Sequence, residues 1–524
     1  MMPGRGPMSN GAMPETVLLG HGPLAREQVV AVVRGGAHVT IGETAEKNLG
    51  ATRQHIEALA EATEPTYGVS TGFGALATRH IPTESRTALQ RSLIRSHAAG
   101  AGPAVEPEVV RALMLLRLRT LTTGYTGVRP GTAAALAAMI NAGIVPVVHE
   151  YGSLGCSGDL APLAAVALAL MGEGEVFDKA GQRVPAAIAL EAAGIEPVVL
   201  AEKEGLALTN GTDGMLGMLV LAAADLNRLL DVADLTAAMS VEALLGTDRA
   251  FAADLQALRP HPGQALSASR MFAALAGSEI VASHRGPDCT RVQDAYSLRC
   301  APQVHGAARD TLAHAELVAD RELVSAVDNP VVLPDGRVES NGNFHGAPVA
   351  YVLDFLAIPV ADVASIAERR TDRMLDVARS HGLPAFLAGD PGVDSGHMIA
   401  QYTQAAVVSD LKRLAAPASV DSIPSSAMQE DHVSMGWSAA RKLRKAVDGL
   451  TTVLAVELLT AARALDFRAP LKSSPVTGAV RELLRTRVEG PGPDRHLAPE
   501  IAAAEELVAS GAVLDAVKNN WELS

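Results

Sequence analysis

The stretch Gly155-Cys156-Ser157-Gly158-Asp159 carries two potential nucleophiles, a thiol and a hydroxyl, between two glycines. A hydrolase elbow has the pattern Gly-x-Ser-x-Gly, and Asp159 stands where the second glycine is required, so that interpretation fails. A reactive Cys156 thiol needs a nearby histidine and an electropositive setting, and a lone cysteine in sequence is weak evidence of either. Taken alone, the pentapeptide most simply predicts a turn, because glycine and serine are common turn residues.

The backbone of this turn offers a different chemistry. Glycine tolerates strained angles, and its amide nitrogen is the least hindered nucleophile in a chain. In a tight turn the Gly158 nitrogen can attack the carbonyl carbon of Cys156, and loss of one water closes a five-membered ring. A second water leaves from Ser157 and gives an exocyclic methylidene, an electrophile that no ordinary side chain supplies. In this scheme Cys156 contributes only its backbone, whereas Ser157 and Gly158 have no obvious substitutes.

The elements that must position this turn are predicted to be mostly helical. Pro107 suits the first turn of a helix over 107–121, which carries apolar residues on nearly every face and should be deeply buried. Strand signals are few and short, such as residues 331–334. These signals predict a smaller, mixed N-terminal part.

Beyond about residue 205 the sequence changes to long, alanine-rich helical repeats. They run over 347–380, 396–416 and 433–466, and Pro359 is expected to kink the first. Helices of this length, at about 1.5 Å per residue, favour a long-helix bundle and a mainly α fold. The predicted organisation is a flexible N-terminal tail (1–22), a mostly helical part that carries the turn (23–205), and the bundle with a C-terminal helical tail (206–524).

Composition bounds the class of protein. The chain has 524 residues, 48% of them hydrophobic, which is ample for a large core, and its net charge of −14 without a basic cluster argues against nucleic-acid binding. Three cysteines without a CxxC pair or metal spacing fit a reducing compartment, so no disulfide framework and no metal are expected. No secretory signal and no uninterrupted run of about 18 apolar residues is found, so a soluble cytoplasmic protein is expected. Alanine faces bury little area each, which favours association with other copies.

The residues 150–163, EYGSLGCSGDLAPL, resemble the prosthetic-group loop of the aromatic amino-acid ammonia-lyases. Most of that family has Ala-Ser-Gly at the centre, and the Cys-Ser-Gly of this chain is similar to its actinobacterial, histidine-specific members. The resemblance covers about 25–515 in collinear order. It recurs in YGVSTGFGAL (67–76), RSHAAG (95–100), ALTNGTDGML (207–216), RVQDAYSLRCAPQV (291–304), DNPVV (328–332), ESNGNFHG (339–346) and SSAMQEDHVSMG (425–436).

The resemblance implies a carbon–nitrogen lyase of the all-α ammonia-lyase/fumarase architecture. Its prosthetic group would be 4-methylidene-imidazol-5-one (MIO), formed autocatalytically from Cys156, Ser157 and Gly158, with no dissociable cofactor. The implied reaction is non-oxidative loss of ammonia from L-histidine to give trans-urocanate, the first step of histidine degradation. The family further implies a cytoplasmic homotetramer in which each site draws residues from three subunits, with a small-molecule substrate and no nucleic acid or membrane partner.

The resemblance also implies roles for single residues. Tyr67 matches the catalytic base, and a tyrosine with a pKa of about 10 must be poised for that role by positive or hydrogen-bonding surroundings. Tyr296 assists catalysis, and Arg299 holds the substrate carboxylate, which a guanidinium fork suits. The remaining matches are Asn210 beside the prosthetic group, Phe344 next to it, and the polar residues Gln293 and Asn329. Taken singly, each of these residues is more simply a turn, core or surface residue.

Substrate choice is implied by two places. The pair Ser96-His97 is similar to the selectivity pair of the histidine enzymes, and Glu430 matches the glutamate that faces the imidazole, where a charge-assisted hydrogen bond is expected. The plain alternative makes Glu430 an acid at a helix N-terminus, where it favours the dipole, and His432 is expected to be structural. One departure is Ala164-Ala165, where many family members end in histidine.

Other functions stay open on the sequence. A tyrosine or phenylalanine lyase, or an aminomutase, would use the same prosthetic group, and Ser96, His97 and Glu430 argue against these. A helical scaffold or pseudoenzyme that never cyclises is an alternative of a different class. A fumarase-type lyase would carry a Gly-Ser-Ser-x-Met-Pro loop, which the sequence lacks.

Overall fold

The computed structural model describes residues 14–20, 22–62, 66, 68–72, 79–156, 158–286, 289 and 292–521. Its N-terminal half is a layer of short and medium helices. They are α1 (Arg26–Val33), α2 (Glu43–Glu61), α3 (Arg86–His97), α4 (Pro107–Leu121), α5 (Pro130–Asn141), α6 (Leu160–Leu170), α7 (Ala186–Ala192) and α8 (Glu204–Thr209).

Long helices make up the rest of the described chain. They are α9 (Asp213–Ala243), α10 (Ala253–Ala257), α11 (Pro262–Ala274), α12 (Glu279–Ala282), α13 (Tyr296–Arg299), α14 (Ala301–Val324), α15 (Ala347–Leu375), α16 (Met398–Leu414), α17 (Gly436–Asp466), α18 (Pro475–Arg485), α19 (Leu497–Ser510) and α20 (Ala512–Asp515).

The nine strands of the described residues are short and lie at the periphery. They are β1 (Thr16–Leu19), β2 (His38–Ile41), β3 (Ala101–Ala104), β4 (Val145–Pro146), β5 (His149–Tyr151), β6 (Glu175–Phe177), β7 (Arg183–Pro185), β8 (Val331–Val332) and β9 (Val338–Glu339). They form three two-stranded sheets, β1-β2, β3-β5 and β8-β9, and one three-stranded sheet, β4-β6-β7. Only β1-β2 is parallel, with Thr16 opposite His38.

The bundle is built on α9, α15 and α17, which pack along one another, with α14 against α9 and α15. Nearly every side chain of α9 is buried, because its alanines, leucines and small polar residues let helices approach on all sides. One continuous hydrophobic cluster runs from Val17 to Trp521. The mainly α fold with a long-helix core predicted from the sequence is confirmed.

Single elements follow the sequence closely. Helix α4 begins at Pro107 and ends at Leu121, as predicted, and α15 continues through Pro359. The other long helices are two to five residues shorter than their sequence patterns at one or both ends. At α17 the reason is local, since Met435 lies at φ 53° and the helix begins only at Gly436.

Within the described residues, α15 alone is long and apolar enough to cross a membrane by length and composition. However, 61% of its apolar window is buried against the rest of the protein. That burial is typical of the core helix of a bundle.

Candidate active site around the Cys156–Gly158 turn

Two of the predicted catalytic residues, Tyr67 and Ser157, lie outside the described residues. The neighbours of Ser157 on both sides are described. The site is therefore built from Cys156, Gly158 and the side chains that contact them.

Gly158 lies in a position that only glycine fits. Its φ is +82°, in the left-handed region, and it pairs in parallel with Gly211. A methyl group on Gly158 would lie 1.9 Å from the carbonyl oxygen of Gly211 and 2.2 Å from its carbonyl carbon. The Asp159 amide donates to the same Gly211 oxygen at 2.7 Å, so the two backbones are held in close approach.

Asp159 ties the turn to the start of the central helix. Its fully buried carboxylate accepts hydrogen bonds from the Ser153 hydroxyl at 2.8 Å and from the amides of Gly214 and Met215 at 2.9 and 3.0 Å. Those amides belong to the first turn of α9, where the helix dipole favours an acceptor. Burial raises the pKa of Asp159 to about 7, although these three donors act in the opposite direction.

The other side of the turn is held by Gly155. Its carbonyl oxygen accepts from the Ser434 hydroxyl at 2.7 Å and from the Gly346 amide at 3.1 Å. The half-buried Phe344, a predicted site residue, lies two residues before Gly346. The turn is thus held from three directions, by the start of α9, by the segment before α15 and by the segment before α17.

Asn210 and Asn329, both predicted from the sequence, contact each other directly. The Asn210 side-chain amide donates to the Asn329 carbonyl oxygen at 2.6 Å. The fully buried Arg117 donates to the Asn210 carbonyl oxygen, and to that of Val327 at 2.9 Å. Asn210 therefore sits next to Gly211, the partner of Gly158, in a rigid polar setting.

A buried ion pair fixes the segment that carries Asn329. The Lys203 ammonium lies 2.6 Å from a carboxylate oxygen of Asp328, and both side chains are almost fully buried. Burial lowers the pKa of Lys203, and the Asp328 carboxylate opposes this shift. Removing one partner of such a pair would leave an uncompensated buried charge.

Glu430 lies against the turn. Its Oε2 accepts from the Ser425 hydroxyl at 2.8 Å and lies 3.8 Å from the Cys156 sulfur. Burial, and secondarily the Glu430 charge, raises the pKa of the Cys156 thiol to about 11. The thiol is therefore neutral at ordinary pH, which makes the reactive-cysteine interpretation unfavourable.

His97 extends the Glu430 group toward the predicted selectivity pair. Burial lowers the pKa of His97, while the nearby Glu430 carboxylate acts to raise it. The Ser96 hydroxyl lies 3.1 Å from Nδ1 of His97. The structure thus brings together four predicted residues, namely Ser96, His97, Cys156 and Glu430.

The plain alternative for Glu430 is wrong. The helix that follows it, α17, begins at Gly436 and has no acidic residue in its first turn. Glu430 instead pairs in antiparallel fashion with Ser425, with N–O distances of 2.8 and 3.3 Å. The carboxylate is therefore placed by a tight loop rather than by a helix dipole.

Gln293, Tyr296 and Arg299 form a second group. The Arg299 guanidinium stacks 4.7 Å from the centre of the Tyr296 ring and donates to the Asp294 carbonyl oxygen at 2.9 Å. Gln293 lines a surface cleft with Asp248 and its neighbours, and 72% of the Tyr296 side chain is exposed. Within the described residues these three side chains contact their own segment and the turn at 247–249, with no contact to the Cys156 group.

Ala165, where relatives often have histidine, lies on α6 and is partly exposed. It borders a cavity of about 200 Å³ together with Ala98 and His149. The departure from the family pattern therefore adjoins open space and not the contacts that hold Gly158.

Several residues of the site carry no sequence signal of their own. Arg117, Lys203, Ser425 and Ser434 act through partners 5 to 279 positions away. The Ser-Ser repeat before Met428 looks like an ordinary loop. Only co-variation between partners could have revealed these contacts.

The donor set fits a backbone-derived prosthetic group. Gly158 is confined to a glycine-only conformation, and the turn is fixed on both sides by the contacts of Gly155 and Asp159. Such a turn brings backbone atoms into close approach, as a cyclisation between residues 156 and 158 requires. A carboxylate and a neutral imidazole, from Glu430 and His97, lie next to it and can bind a polar heterocycle.

Comparisons with known proteins agree. A family model for aromatic amino acid lyases matches residues 24–486. The histidine ammonia-lyase of Streptomyces avermitilis is 65% identical over 504 residues, covering 96% of this chain and 98% of that protein. The crystal structure of histidine ammonia-lyase from Trypanosoma cruzi aligns with a TM-score of 0.89 at 38% identity, over 97% of this chain and 96% of that one. Tyrosine aminomutase from Streptomyces globisporus aligns with a TM-score of 0.92 at 37% identity, over 97% and 99%.

Proposed function

Since the chain belongs to the family of aromatic amino acid lyases, we propose that it eliminates ammonia from L-histidine to give trans-urocanate. The observation that carries this proposal is the Glu430 carboxylate, 3.8 Å from the Cys156 sulfur and hydrogen-bonded by Ser425. It sets an acceptor for an imidazole N–H beside the turn that the reaction needs. The 65% identity to a histidine ammonia-lyase supports the same substrate.

The residues that would hold the prosthetic group are Cys156, Ser157 and Gly158, with Asn210 beside them. The group, MIO, supplies an electrophile and thereby makes the amine of the substrate a better leaving group. The chain's contribution is to keep the turn tight, through Gly155 and Asp159. No dissociable cofactor is part of the proposal.

The substrate is proposed to be held at both ends. Arg299 binds the carboxylate as a charge-assisted pair, while Glu430, Ser96 and His97 orient the imidazole. A neutral His97, which burial favours, can both donate and accept. Tyr67 is proposed to take the β-proton, a role that requires its phenol to be poised by nearby positive charge or donors, and Gln293, Tyr296, Asn329 and Phe344 complete the site.

The two groups of site residues are proposed to meet between copies of the chain, in a cytoplasmic homotetramer. The exposure of Tyr296 supports this, since a residue that assists catalysis needs a covered site. Large apolar side chains on one face of α15 support it as well: Tyr351, Phe355 and Ile358 are 58%, 46% and 51% exposed. A monomer rarely exposes so contiguous an apolar stripe without a partner.

Shared sites predict complementation. Ser157→Ala and Tyr296→Phe variants, each purified with a different affinity tag, should be nearly inactive alone. Hybrids unfolded and reassembled together, then isolated through both tags, should recover activity, because some sites receive both intact residues from different chains. Hybrids of the correct size that show only the summed activity of the parents would contradict the sharing of sites.

The substrate proposal is tested with Glu430→Gln. The amide keeps the shape and can still accept from Ser425, so stability should change little. The charge-assisted hydrogen bond to the imidazole is lost, and kcat/KM for L-histidine should fall by about tenfold to a hundredfold.

The measurement is the initial rate of urocanate formation over a range of L-histidine concentrations, with melting temperatures compared in parallel. Wild-type kinetics in the variant would remove Glu430 from substrate recognition. A fall in kcat/KM matched by a large loss of melting temperature would assign it a structural role instead.

A further inference from the structure

The loop that carries Glu430 holds an uncommon backbone. Ser426, Ala427 and Met428 lie in succession at φ 49°, 53° and 67°. Left-handed conformations disfavour residues with a Cβ, and such positions persist only where the surroundings enforce them. Here the antiparallel pairing of Ser425 with Glu430 closes the loop at its base, so the strained turn brings these two side chains together.

The Ser425 side chain spends its hydroxyl on the carboxylate. Its oxygen donates to Oε2 of Glu430 at 2.8 Å, a normal length for a strong hydrogen bond to a charged acceptor. The Cys156 sulfur reaches the same oxygen from the other side at 3.8 Å, a longer and weaker contact. The Ser425 hydroxyl also lies near the Cys156 thiol, whose pKa it acts to lower.

A carboxylate needs such a contact to be selective. The terminal torsion of a glutamate side chain is broad, so an unheld carboxylate samples many orientations. A donor fixed at one oxygen sets the plane of the group, and with it the direction in which it can accept from a ligand. Preorganisation of this kind improves recognition because less orientational freedom is lost on binding.

We infer that Ser425 is a positioning residue for substrate recognition: its hydroxyl fixes the Glu430 carboxylate against the Cys156 turn in the orientation that accepts the imidazole N–H. This inference rests on the proposed function. Ser425 itself does not touch the reacting atoms and acts through Glu430.

The first test compares three variants. Ser425→Ala should lower kcat/KM for L-histidine by about tenfold, the scale of one hydrogen bond to a charged group. Ser425→Thr should restore kcat/KM to within about threefold, because it keeps the hydroxyl and Ser425 has extended angles, φ −135° and ψ 178°, that threonine favours. Ser426→Ala, the same deletion on the exposed neighbour, should leave kcat/KM unchanged, and all three variants should melt at similar temperatures.

The second test is a double-mutant cycle with Glu430→Gln. Because Ser425 acts through the carboxylate, Ser425→Ala should cost less than about twofold in the Glu430→Gln background. Equal losses in both backgrounds, or a Ser425→Ala variant within twofold of wild type, would overturn the inference and leave the proposed function standing. A wild-type chain that forms no urocanate would instead overturn the proposed function and this inference with it.

Discussion

The Ser157→Ala variant is expected to fold and assemble as the wild type does and to lose nearly all activity, about a thousandfold or more. The reason is that alanine has no hydroxyl to leave as water, so the methylidene cannot form. The flanking contacts that hold Cys156, Gly158 and Asp159 do not use the Ser157 side chain. The fold should therefore survive the loss of the chemistry.

Intact-mass measurement checks this result independently of turnover. Wild-type protein should weigh two waters less than its sequence, and Ser157→Ala should not show that loss. Circular dichroism, light scattering and the Ser426→Ala variant serve as controls for fold, size and handling. A Ser157→Ala variant with wild-type turnover, or a wild-type chain of full sequence mass that is nevertheless active, would remove the prosthetic group from the mechanism.

The Gly158→Ala variant is expected to lose both activity and stability. An alanine at φ +82° is strained by about 1–2 kcal/mol, and its methyl group would lie 1.9 Å from the Gly211 carbonyl oxygen. Gly211 cannot easily move away, since Arg117 holds the Asn210 carbonyl next to it and the Asp159 amide binds its own carbonyl. The turn must open, and the nitrogen that closes the ring moves out of reach.

Gly181→Ala is the matched control for this variant. Gly181 has a similar φ of +75° but nothing within 4 Å of the added methyl group. It should therefore show the strain alone, with the two-water mass loss and activity intact. Gly158→Ala should melt well below Gly181→Ala and carry the full sequence mass. Equal melting temperatures together with a wild-type mass loss in Gly158→Ala would contradict the close approach of Gly158 and Gly211.

Much of the fold was predictable because helices depend on local signals. Pro107 marks the start of α4, and the long alanine-rich repeats mark α15 and α17. Their ends were less predictable. Helix α17 starts three residues later than its pattern, because the left-handed Met435 depends on contacts with distant residues.

The site was predictable only where motifs carry it. The resemblance correctly brought Glu430, Cys156 and His97 to one place, and Asn210 to Asn329. The helix-dipole alternative for Glu430 failed because no local signal shows the left-handed run at 426–428. Ser425 and the Lys203–Asp328 pair could not be foreseen, since their roles arise from contacts and not from residue type.

The most direct test of the account is a parallel assay of the purified wild-type chain with L-histidine, L-tyrosine and L-phenylalanine. The initial rates of urocanate, coumarate and cinnamate formation are followed, together with ammonia release. The account predicts urocanate and ammonia in equal amounts from L-histidine, and little or no product from the other two amino acids. Faster formation of coumarate or cinnamate, a β-amino acid without ammonia release, or no product from L-histidine would contradict it.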